Sequence, residues 1–452
     1  MSVTVSIHGQ WSTRLAFILA ATGSAVGLGN IWRFPYIAGD NGGGAFVLLY
    51  LACILMIGLP IMMAEVLLGR RGRQSPINTM LTVAREEGLS RGWGLMGWIG
   101  VLAGFLILSF YSVIAGWALA YVFKAGTGSF TGLDADASSA MFSAMLADPE
   151  ALLAWHTIFM VMTAMVVARG VRSGLEQAVT ILMPLLVVLL LVLVGYSMAQ
   201  GQFMDGLRFL FRPDFSALTA NAVLLAMGQA FFTLSLGMGA IMVYGSYLSS
   251  EASVTGTSAA VVGADTAVAL LAGLAIFPIL FAADLSPDQG PGLIFVTLPL
   301  AFAEMPMGIY FGTLFFVLLV FAAWTSAISL VEPAVAFLVE NLETTRVFAT
   351  TLVAILAWML GIGALLSLNA WSGYTLLGMG VLDLLDYLTA NILLPVGGFL
   401  IALFVGWRMT ERSVQSELRL RLGWAFSLWY FLVRYVAPIA IVVVFLRAVG
   451  VI

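Results

Sequence analysis

The stretch GSAVGLGN at residues 23–30 lies inside an apolar segment that runs from about residue 11 to residue 38. Each glycine inside a helix costs roughly 1 kcal/mol relative to alanine, and Pro35 follows soon after, so we predict a helix broken at 23–30. If this helix crosses a membrane, its freed backbone groups must be buried in protein or line a cavity. Freed carbonyls can bind a cation, and the amides that begin the second half-helix can bind a carboxylate. The alternative interpretation is a glycine-rich face for helix packing.

The composition indicates a polytopic membrane protein. Of 452 residues, 62% are hydrophobic and 9% are charged, whereas soluble domains carry about 25% charged residues. The first ten residues lack the basic region of a cleavable signal. A net charge of -4 argues against a nucleic-acid partner, and the single cysteine, Cys53, excludes an internal disulfide.

The chain also lacks the motifs of an enzyme. His8 and His156 are the two histidines, and the sequence contains no HExxH motif, no GxSxG motif and no paired catalytic carboxylates. We therefore expect no enzymatic activity. The expected partners are a small-molecule substrate and the lipid bilayer, and we expect a monomer or a weak dimer.

Hydropathy predicts an all-α fold with eleven membrane spans of about 20 residues or more. We predict these spans at 12–38, 44–69, 93–124, 151–168, 175–199, 217–248, 253–282, 308–339, 346–365, 386–407 and 424–447. The stretches 125–150, 199–217 and 408–422 are predicted as loops, and the loop 283–306 is predicted to hold short helices.

The sixth span is predicted to be broken as well, near Ser235-Leu236-Gly237-Met238-Gly239. The two broken spans lie five spans apart, so the two halves of the chain have opposite topology. This arrangement predicts a 5+5 inverted-repeat transporter whose site lies at the membrane midplane. We expect one transmembrane domain, 1–452, with a first repeat at 12–200, a second at 217–407 and an extra helix at 424–447.

Orientation follows from the basic residues, because cytoplasmic loops carry an excess of Lys and Arg. The side that holds the N-terminus carries most of them: Arg14, Arg70, Arg71, Arg73, Arg85, Arg91, Arg169, Arg172, Arg346, Arg408, Arg412, Arg419 and Arg421. We therefore expect a cytoplasmic N-terminus, an extracytoplasmic C-terminus and a location in the cell inner membrane.

Several motifs resemble those of the neurotransmitter:sodium symporter family, in its bacterial amino-acid branch. They are residues 23–30, the RFP at 33–35, the NGGGAF at 41–46, the GQAFFTLSLG at 228–237 and the TS at 325–326. The resemblance runs along nearly the whole chain and implies a sodium-coupled symporter that imports an apolar L-amino acid by alternating access. The alternatives are an amino-acid-gated channel or a transceptor of the same fold.

The resemblance also implies a substrate site between spans one, three, six and eight. The substrate's charged groups would meet the amides of Leu28 and Gly29, the hydroxyl of Tyr111, and the carbonyls of Ala25, Phe232 and Thr233. Gly27 stands where the monoamine branch carries an aspartate, so we expect an α-amino acid as substrate. The pocket for the substrate side chain would contain Ile107, Ile114, Phe232, Ser235, Met238, Ser326 and Leu330, which favours aliphatic or aromatic side chains.

Two sodium sites follow from the same resemblance. The first would use oxygens of Ala25, Asn30, Thr233 and Asp265 together with the substrate carboxylate. The second would use carbonyls of Gly23, Val26 and Ala322 with the hydroxyls of Thr325 and Ser326. Oxygen ligands of this kind suit hard cations.

Asp265 lies in the middle of the predicted seventh span, where an aspartate costs roughly 2.5–3.5 kcal/mol. Chloride-dependent relatives carry a neutral asparagine at this position and use a nearby anion. We therefore expect Asp265 to supply that charge and transport to be independent of chloride. A buried acid paired with a basic residue is the alternative.

The resemblance finally implies two gates. Arg33 and Asp386 match the extracellular pair, and Tyr247, Glu332 and Glu340 match the cytoplasmic network. The family carries an arginine shortly before the tryptophan at position 11, whereas this chain has His8 there. Either His8 or Arg14 takes that role, or the inner gate is looser.

Overall fold

The computed structural model describes residues 7–285, 292–420 and 423–451. The regular structure in these ranges is helical, with two isolated β-bridges at Gly43–Pro213 and Leu376–Met379. The prediction of an all-α fold is therefore confirmed. The predicted loops 283–306 and 408–422 and the first ten residues lie partly outside the described residues, and Arg421 lies wholly outside them.

Nine helices in the described ranges are long and apolar enough to cross a membrane. They correspond to the predicted spans two to five and seven to eleven. Their bounds are Gly44–Gly72, Arg91–Gly126, Pro149–Ala168, Val171–Ala199, Val254–Ala282, Gly308–Leu342, Arg346–Leu366, Val381–Arg408 and Trp424–Ala448.

The first span is broken. Its halves, Arg14–Ala25 and Gly29–Asp40, meet at an angle of 56°. The sixth span also consists of two helices, Ala220–Thr233 and Ala240–Ser246, separated by a helix-free stretch at 234–239. Neither of these helices is long enough to cross a bilayer alone. Counting the pair as one span gives the predicted total of eleven, and that count stays a prediction.

Several stretches predicted as loops contain helices, so those predictions were wrong in part. The additional helices are Ala135–Leu146, Phe203–Phe211 and Glu411–Leu418. A further helix, Pro76–Glu86, follows the second span, and the short helix expected in 283–306 is Leu293–Glu304. Ala135–Leu146 and Glu411–Leu418 are too short and too polar for a hydropathy search, but capping side chains such as Asp134, which accepts a 2.7 Å hydrogen bond from the amide of Ala137, stabilise their first turns.

The tenth span begins at Val381, five residues before the predicted start at Asp386. Asp383 and Asp386 both lie in its first turns, where negative charge is favourable next to the helix N-terminus. The two carboxylates therefore belong to the helix, although their charge made the segment look like a loop.

The spans pack so that both breaks face the same interior region. The eighth span lies along the third, and the first half of the first span, Arg14–Ala25, contacts the seventh and eighth spans. The short helix Ala240–Ser246 packs against the second span. The broken segments are thereby enclosed by continuous helices, while the predicted repeat boundaries stay a prediction.

The contact between the second span and Ala240–Ser246 yields a stability prediction. A Cβ atom at Gly69 would overlap the carbonyl oxygen of Met242, so Gly69→Ala must push the two helices apart. Overpacking of this kind costs about 1–3 kcal/mol, and we expect a lower melting temperature in detergent. The matched control is Gly263→Ala in the seventh span, where an added Cβ meets nothing within 4 Å; equal melting temperatures for the two variants would contradict the prediction.

Candidate functional site

The first break is narrower than predicted and is held by its own asparagine. The backbone leaves the helix at Val26, with φ -69° and ψ 104°. The amide of Gly27 then donates a 3.1 Å hydrogen bond to Oδ1 of Asn30, and the amide of Asn30 donates a 3.2 Å bond to the carbonyl of Gly27. Pro35 lies inside the second half-helix, directly after the π-helical turn Gly29–Arg33, so its missing N–H removes one intrahelical hydrogen bond.

The second break depends on left-handed backbone. Ser235, Gly237 and Gly239 have φ values of 54°, 81° and 76°. Glycine is required at 237, because a Cβ there would lie 2.7 Å from the carbonyl oxygen of Leu394. The freed amide of Gly237 donates a 2.5 Å hydrogen bond to the buried carboxylate of Glu65, which the second span supplies.

The two breaks enclose a cavity of about 50 Å³. Twelve of the thirteen predicted substrate residues line it: Ala25, Gly27, Leu28, Gly29, Ile107, Tyr111, Phe232, Thr233, Ser235, Met238, Ser326 and Leu330. Ile114 is buried one turn from Tyr111 on the third span but does not line the cavity, so its role stays a prediction. Ser24 and Ser329 complete the wall, and none of the described residues that form it carries a charge.

Gly27 makes room at the polar end of this cavity. A Cβ at Gly27 would lie 2.6 Å from Oγ of Ser326 and 3.1 Å from the hydroxyl of Tyr111. The same tyrosine oxygen accepts a 3.4 Å hydrogen bond from the amide of Leu28. Two hydroxyls, of Ser326 and Tyr111, and a backbone amide therefore meet at the start of the second half-helix, where negative charge is favourable.

The predicted first cation set converges beside the cavity. Nδ2 of Asn30 lies 3.0 Å from Oγ1 of Thr233 and 2.8 Å from Oδ1 of Asp265, and Oγ1 of Thr233 donates a 3.2 Å bond to Oδ2 of Asp265. All three side chains are buried, and no Lys or Arg forms an ion pair with Asp265 in the part of the chain that the structure describes. A buried carboxylate without a basic partner favours a bound cation.

The predicted second set converges on the other side of the first break. Oγ of Ser326 lies 3.4 Å from the carbonyl oxygen of Gly23 and 3.2 Å from that of Val26. Oγ1 of Thr325 lies 3.1 Å from the carbonyl oxygen of Ala322. A Cβ at Gly23 would lie 3.2 Å from Cβ of Thr325, which places the two spans in direct contact here. These carbonyl and hydroxyl oxygens fit a hard monovalent cation.

On one side of the cavity the predicted gate pair is apart. Arg33 and Asp386, both within the described ranges, form no ion pair within 4 Å, and the Arg33 guanidinium instead lies 4.7 Å above the ring of Phe232. Phe232 in turn lines the cavity. The cation–π contact joins the arginine to the aromatic wall below it.

On the opposite side, Glu332 is fully buried and has several partners. The hydroxyl of Tyr247 donates a 2.6 Å hydrogen bond to Oε1 of Glu332, and Arg346 forms an ion pair with Oε2. Trp11 packs against Tyr247 with ring centroids 6.0 Å apart, and its backbone amide donates a 3.1 Å bond to the carbonyl of Tyr247. The segment before the first span is thereby attached to this cluster.

Glu340 forms a second cluster, and this cluster bears on the question of the missing arginine. Nε2 of His8 lies 3.0 Å from Oε1 of Glu340, with both side chains almost fully buried. Ser75 and Asn78 donate to the same carboxylate, with distances of 2.7 Å from the Ser75 amide and 2.8 Å from Nδ2 of Asn78. Arg14 instead lies against Gly256 at the start of the seventh span. Of the two candidates, His8 is therefore the residue that contacts the predicted gate carboxylate.

Sequence reasoning missed Ser24, Ser329, Arg346, Ser75 and Asn78. Ser24 lies within the stretch 23–30, but a serine among glycines and alanines does not by itself indicate a binding residue. Ser329 lies three residues after Ser326 on one helix face, a spacing that marks it as a neighbour. Arg346 enters the sequence analysis through membrane orientation alone, although it begins a span shortly after Glu332, its partner in the structure.

Comparison with known proteins agrees with this geometry. The Sodium:neurotransmitter symporter family matches residues 8–136 and 145–452. The chain is 40% identical over 445 residues to the uncharacterized sodium-dependent transporter YhdH of Bacillus subtilis, covering 98% of each chain. It is 25% identical to the sodium-dependent serotonin transporter of Drosophila melanogaster, covering 99% of this chain and 78% of that one.

A solved structure is similar along almost the full length. The crystal structure of MhsT in complex with L-phenylalanine has a TM-score of 0.89 and 45% identity, and covers 97% of this chain and 99% of that one. The predictions of a transporter in the membrane and of no enzymatic activity are confirmed by these matches. The chain belongs to the Sodium:neurotransmitter symporter family.

Proposed function

We propose that this protein is a sodium-coupled symporter that imports an apolar L-amino acid, aliphatic or aromatic, without need of chloride. Family membership supports sodium-coupled amino-acid transport. The observation that carries the finer proposal is the cavity between the two breaks, which combines a polar end with an uncharged wall. The ligand in the MhsT crystal structure, L-phenylalanine, is an amino acid of the proposed class.

The polar end suits the substrate carboxylate. The amides of Leu28 and Gly29 begin the second half-helix, and the Tyr111 hydroxyl lies beside them. A carboxylate would receive hydrogen bonds there and would complete the ligand set formed by Asn30, Thr233 and Asp265. The amino group would face carbonyls of Ala25, Phe232 and Thr233, which accept but cannot donate.

The apolar end suits a side chain without charge. Ile107, Met238 and Leu330 line it, and a charged substrate would find no counter-ion in the described wall of the cavity. Met238 is flexible and can adapt to side chains of different shapes. We therefore propose that the site accepts both branched aliphatic and aromatic amino acids.

Coupling would arise because the substrate and one sodium ion share ligands. A carboxylate bound beside Asn30 and Thr233 would raise the affinity for sodium, and sodium would raise the affinity for the substrate by the same factor. The second proposed sodium site bridges the first break and the eighth span through Ser326 and Thr325. Two ions bound at the break would hold the two halves of the first span in register during the transport cycle.

Alternating access would use the two gates in turn. We propose that Arg33 and Asp386 approach each other when substrate is bound, and that the clusters around Glu332 and Glu340 separate to release it. The positive charges favour a cytoplasmic location for the Glu332 and Glu340 side. We further propose an N-terminus in the cytoplasm, a C-terminus outside, an inner-membrane location, 5+5 repeats and a monomer or weak dimer.

Sodium coupling can be tested with proteoliposomes. Labelled L-phenylalanine should accumulate with an inward sodium gradient and should not accumulate when choline replaces sodium. Thr233→Val removes one oxygen from the proposed first site, and we expect about a tenfold higher sodium concentration for half-maximal uptake, equivalent to about 1.4 kcal/mol.

The matched control for this variant is Thr350→Val. Thr350 is also buried, but its hydroxyl has no hydrogen-bond partner among the described residues and lies in the ninth span, so uptake should be unchanged. Equal sodium dependence in the two variants would count against a symporter. So would labelled substrate that reaches the same concentration on both sides of the membrane without accumulating inside.

Chloride independence can be tested at constant sodium. Replacing chloride by gluconate should leave uptake unchanged in the native protein, because Asp265 supplies a fixed negative charge at the first site. In Asp265→Asn, which keeps the shape and removes the charge, uptake should be lower in gluconate than in chloride. Loss of native uptake in gluconate would refute the proposal.

The inner gate should respond to a permanent positive charge at position 8. An arginine in place of His8 would bind the Glu340 carboxylate with a charge-assisted hydrogen bond, which is about twice as strong as a neutral one. We expect uptake of labelled L-phenylalanine by His8→Arg proteoliposomes to be a few-fold slower than by the native protein, since the gate then opens less readily.

His8→Gln is the matched control, because glutamine can hydrogen-bond to Glu340 without carrying a charge. Its uptake should be at least as fast as that of the native protein. Equal uptake by the arginine and glutamine variants would contradict the prediction.

A further inference from the structure

A second cavity, outside the candidate substrate site, opens between the fourth, fifth and eighth spans. It has a volume of about 260 Å³. We call it the hairpin crevice, because the loop between the fourth and fifth spans forms its mouth. Its lining residues are Val166, Arg169, Ser173, Gly174, Gln177, Ala178, Ile181, Leu182 and Trp324.

The crevice changes from polar to apolar with depth. Ser173, Gln177 and Ile181 follow one another at intervals of four residues, so they lie on one face of the fifth span. The polar members lie near the loop, and the apolar members lie further into the membrane. From Ser173 to Leu182 the helix rises about 14 Å, close to the thickness of one leaflet's hydrocarbon, about 15 Å.

Trp324 marks the deep end. A Cβ at Gly23 would touch Met183 of the fifth span and Thr325 of the eighth, which places those two residues at the same depth. Trp324 and Leu182 are their immediate neighbours in sequence, so the tryptophan lies at the level of Leu182. Its indole Nε1 is buried and has no hydrogen-bond partner within the described ranges.

Among the described residues that line the crevice, Arg169 is the one with a charge. The side chain of Arg169 is exposed and forms no hydrogen bond or ion pair with the residues that the structure describes. Glu176, at the end of the first π-helical turn of the fifth span, accepts a hydrogen bond from the amide of Ser12, and Arg346 is bound to Glu332. Arg169 also lies beside the N-terminus of the fifth span at Val171, which favours anions.

We propose that the hairpin crevice binds an anionic phospholipid of the cytoplasmic leaflet. The phosphate would lie between Arg169 and the first turn of the fifth span, and Ser173 and Gln177 would contact the glycerol region. One acyl chain would follow Ala178 and Ile181 down to the ring of Trp324. A polar mouth, a positive charge and an apolar floor of one leaflet's depth match this amphiphile, whereas a soluble anion would leave the apolar floor unfilled.

The test uses lipids whose acyl chains carry bromine, which quenches tryptophan fluorescence on contact. The full chain is placed in phosphatidylcholine nanodiscs that contain the same fraction of brominated phosphatidylglycerol or brominated phosphatidylcholine. The difference between the native protein and Trp324→Phe isolates the Trp324 signal among the 12 tryptophans. We expect phosphatidylglycerol to quench that signal at least twofold more strongly than phosphatidylcholine.

The quenching difference between the protein with Trp324 and its Trp324→Phe variant is then measured after each of three arginine substitutions. Arg169→Gln should abolish the preference for phosphatidylglycerol, and Arg169→Lys should keep it. Arg91→Gln removes an exposed arginine at the start of the third span, on the same side of the membrane, and should also keep it. Equal quenching by the two lipids in the native protein, survival of the preference in Arg169→Gln, or displacement of the lipid by inorganic phosphate would each overturn the proposal.

Discussion

A backbone that leaves the helix inside a membrane must find partners for its amides and carbonyls within the protein. Here the two breaks largely satisfy each other. Ser235 in the second break donates a 2.8 Å hydrogen bond to the carbonyl of Ser24 in the first, Asn30 caps Gly27, and Glu65 accepts from Gly237. The candidate site exists because this exchange is incomplete: several carbonyl oxygens and half-helix amides still face a shared cavity.

Serine hydroxyls extend the same constraint to the eighth span. Ser24 donates a 2.8 Å hydrogen bond to Ser329, and Oγ of Ser326 lies within 3.4 Å of three carbonyl oxygens in the first break. Small side chains let the two backbones approach closely, and their hydroxyls can turn from a neighbouring carbonyl to a ligand at little cost. The continuous eighth span and the broken first span are thereby joined by a row of hydrogen bonds. A ligand that replaces one of these hydrogen bonds can change how the two helices pack.

The sequence predicted the parts of this arrangement that depend on local chemistry. Glycines at 23, 27 and 29, the proline at 35 and the buried Asp265 each carry a physical signal that needs no tertiary information. The position of Ser329, the partnership of Arg346 with Glu332 and the surface helix Ala135–Leu146 could not be predicted this way. Each depends on which elements become neighbours, or on an amphipathic pattern too polar for a hydropathy criterion.

The two gates on either side of the cavity differ in the number of ion pairs and hydrogen bonds that hold them closed. On one side, Arg33 has an aromatic ring beneath it and forms no ion pair with Asp386 within the described residues. On the other side, Glu332 and Glu340 bind partners from four parts of the chain. These are the N-terminal segment, the segment after the second span, and the sixth and ninth spans. Separating a buried carboxylate from its partners costs several kcal/mol, although forming such a pair stabilises little. Glu340 also accepts hydrogen bonds from two neutral donors, Ser75 and Asn78. The carboxylate therefore has neutral partners besides His8, which explains how this chain can carry a histidine at a position where the resemblance to the family implies an arginine.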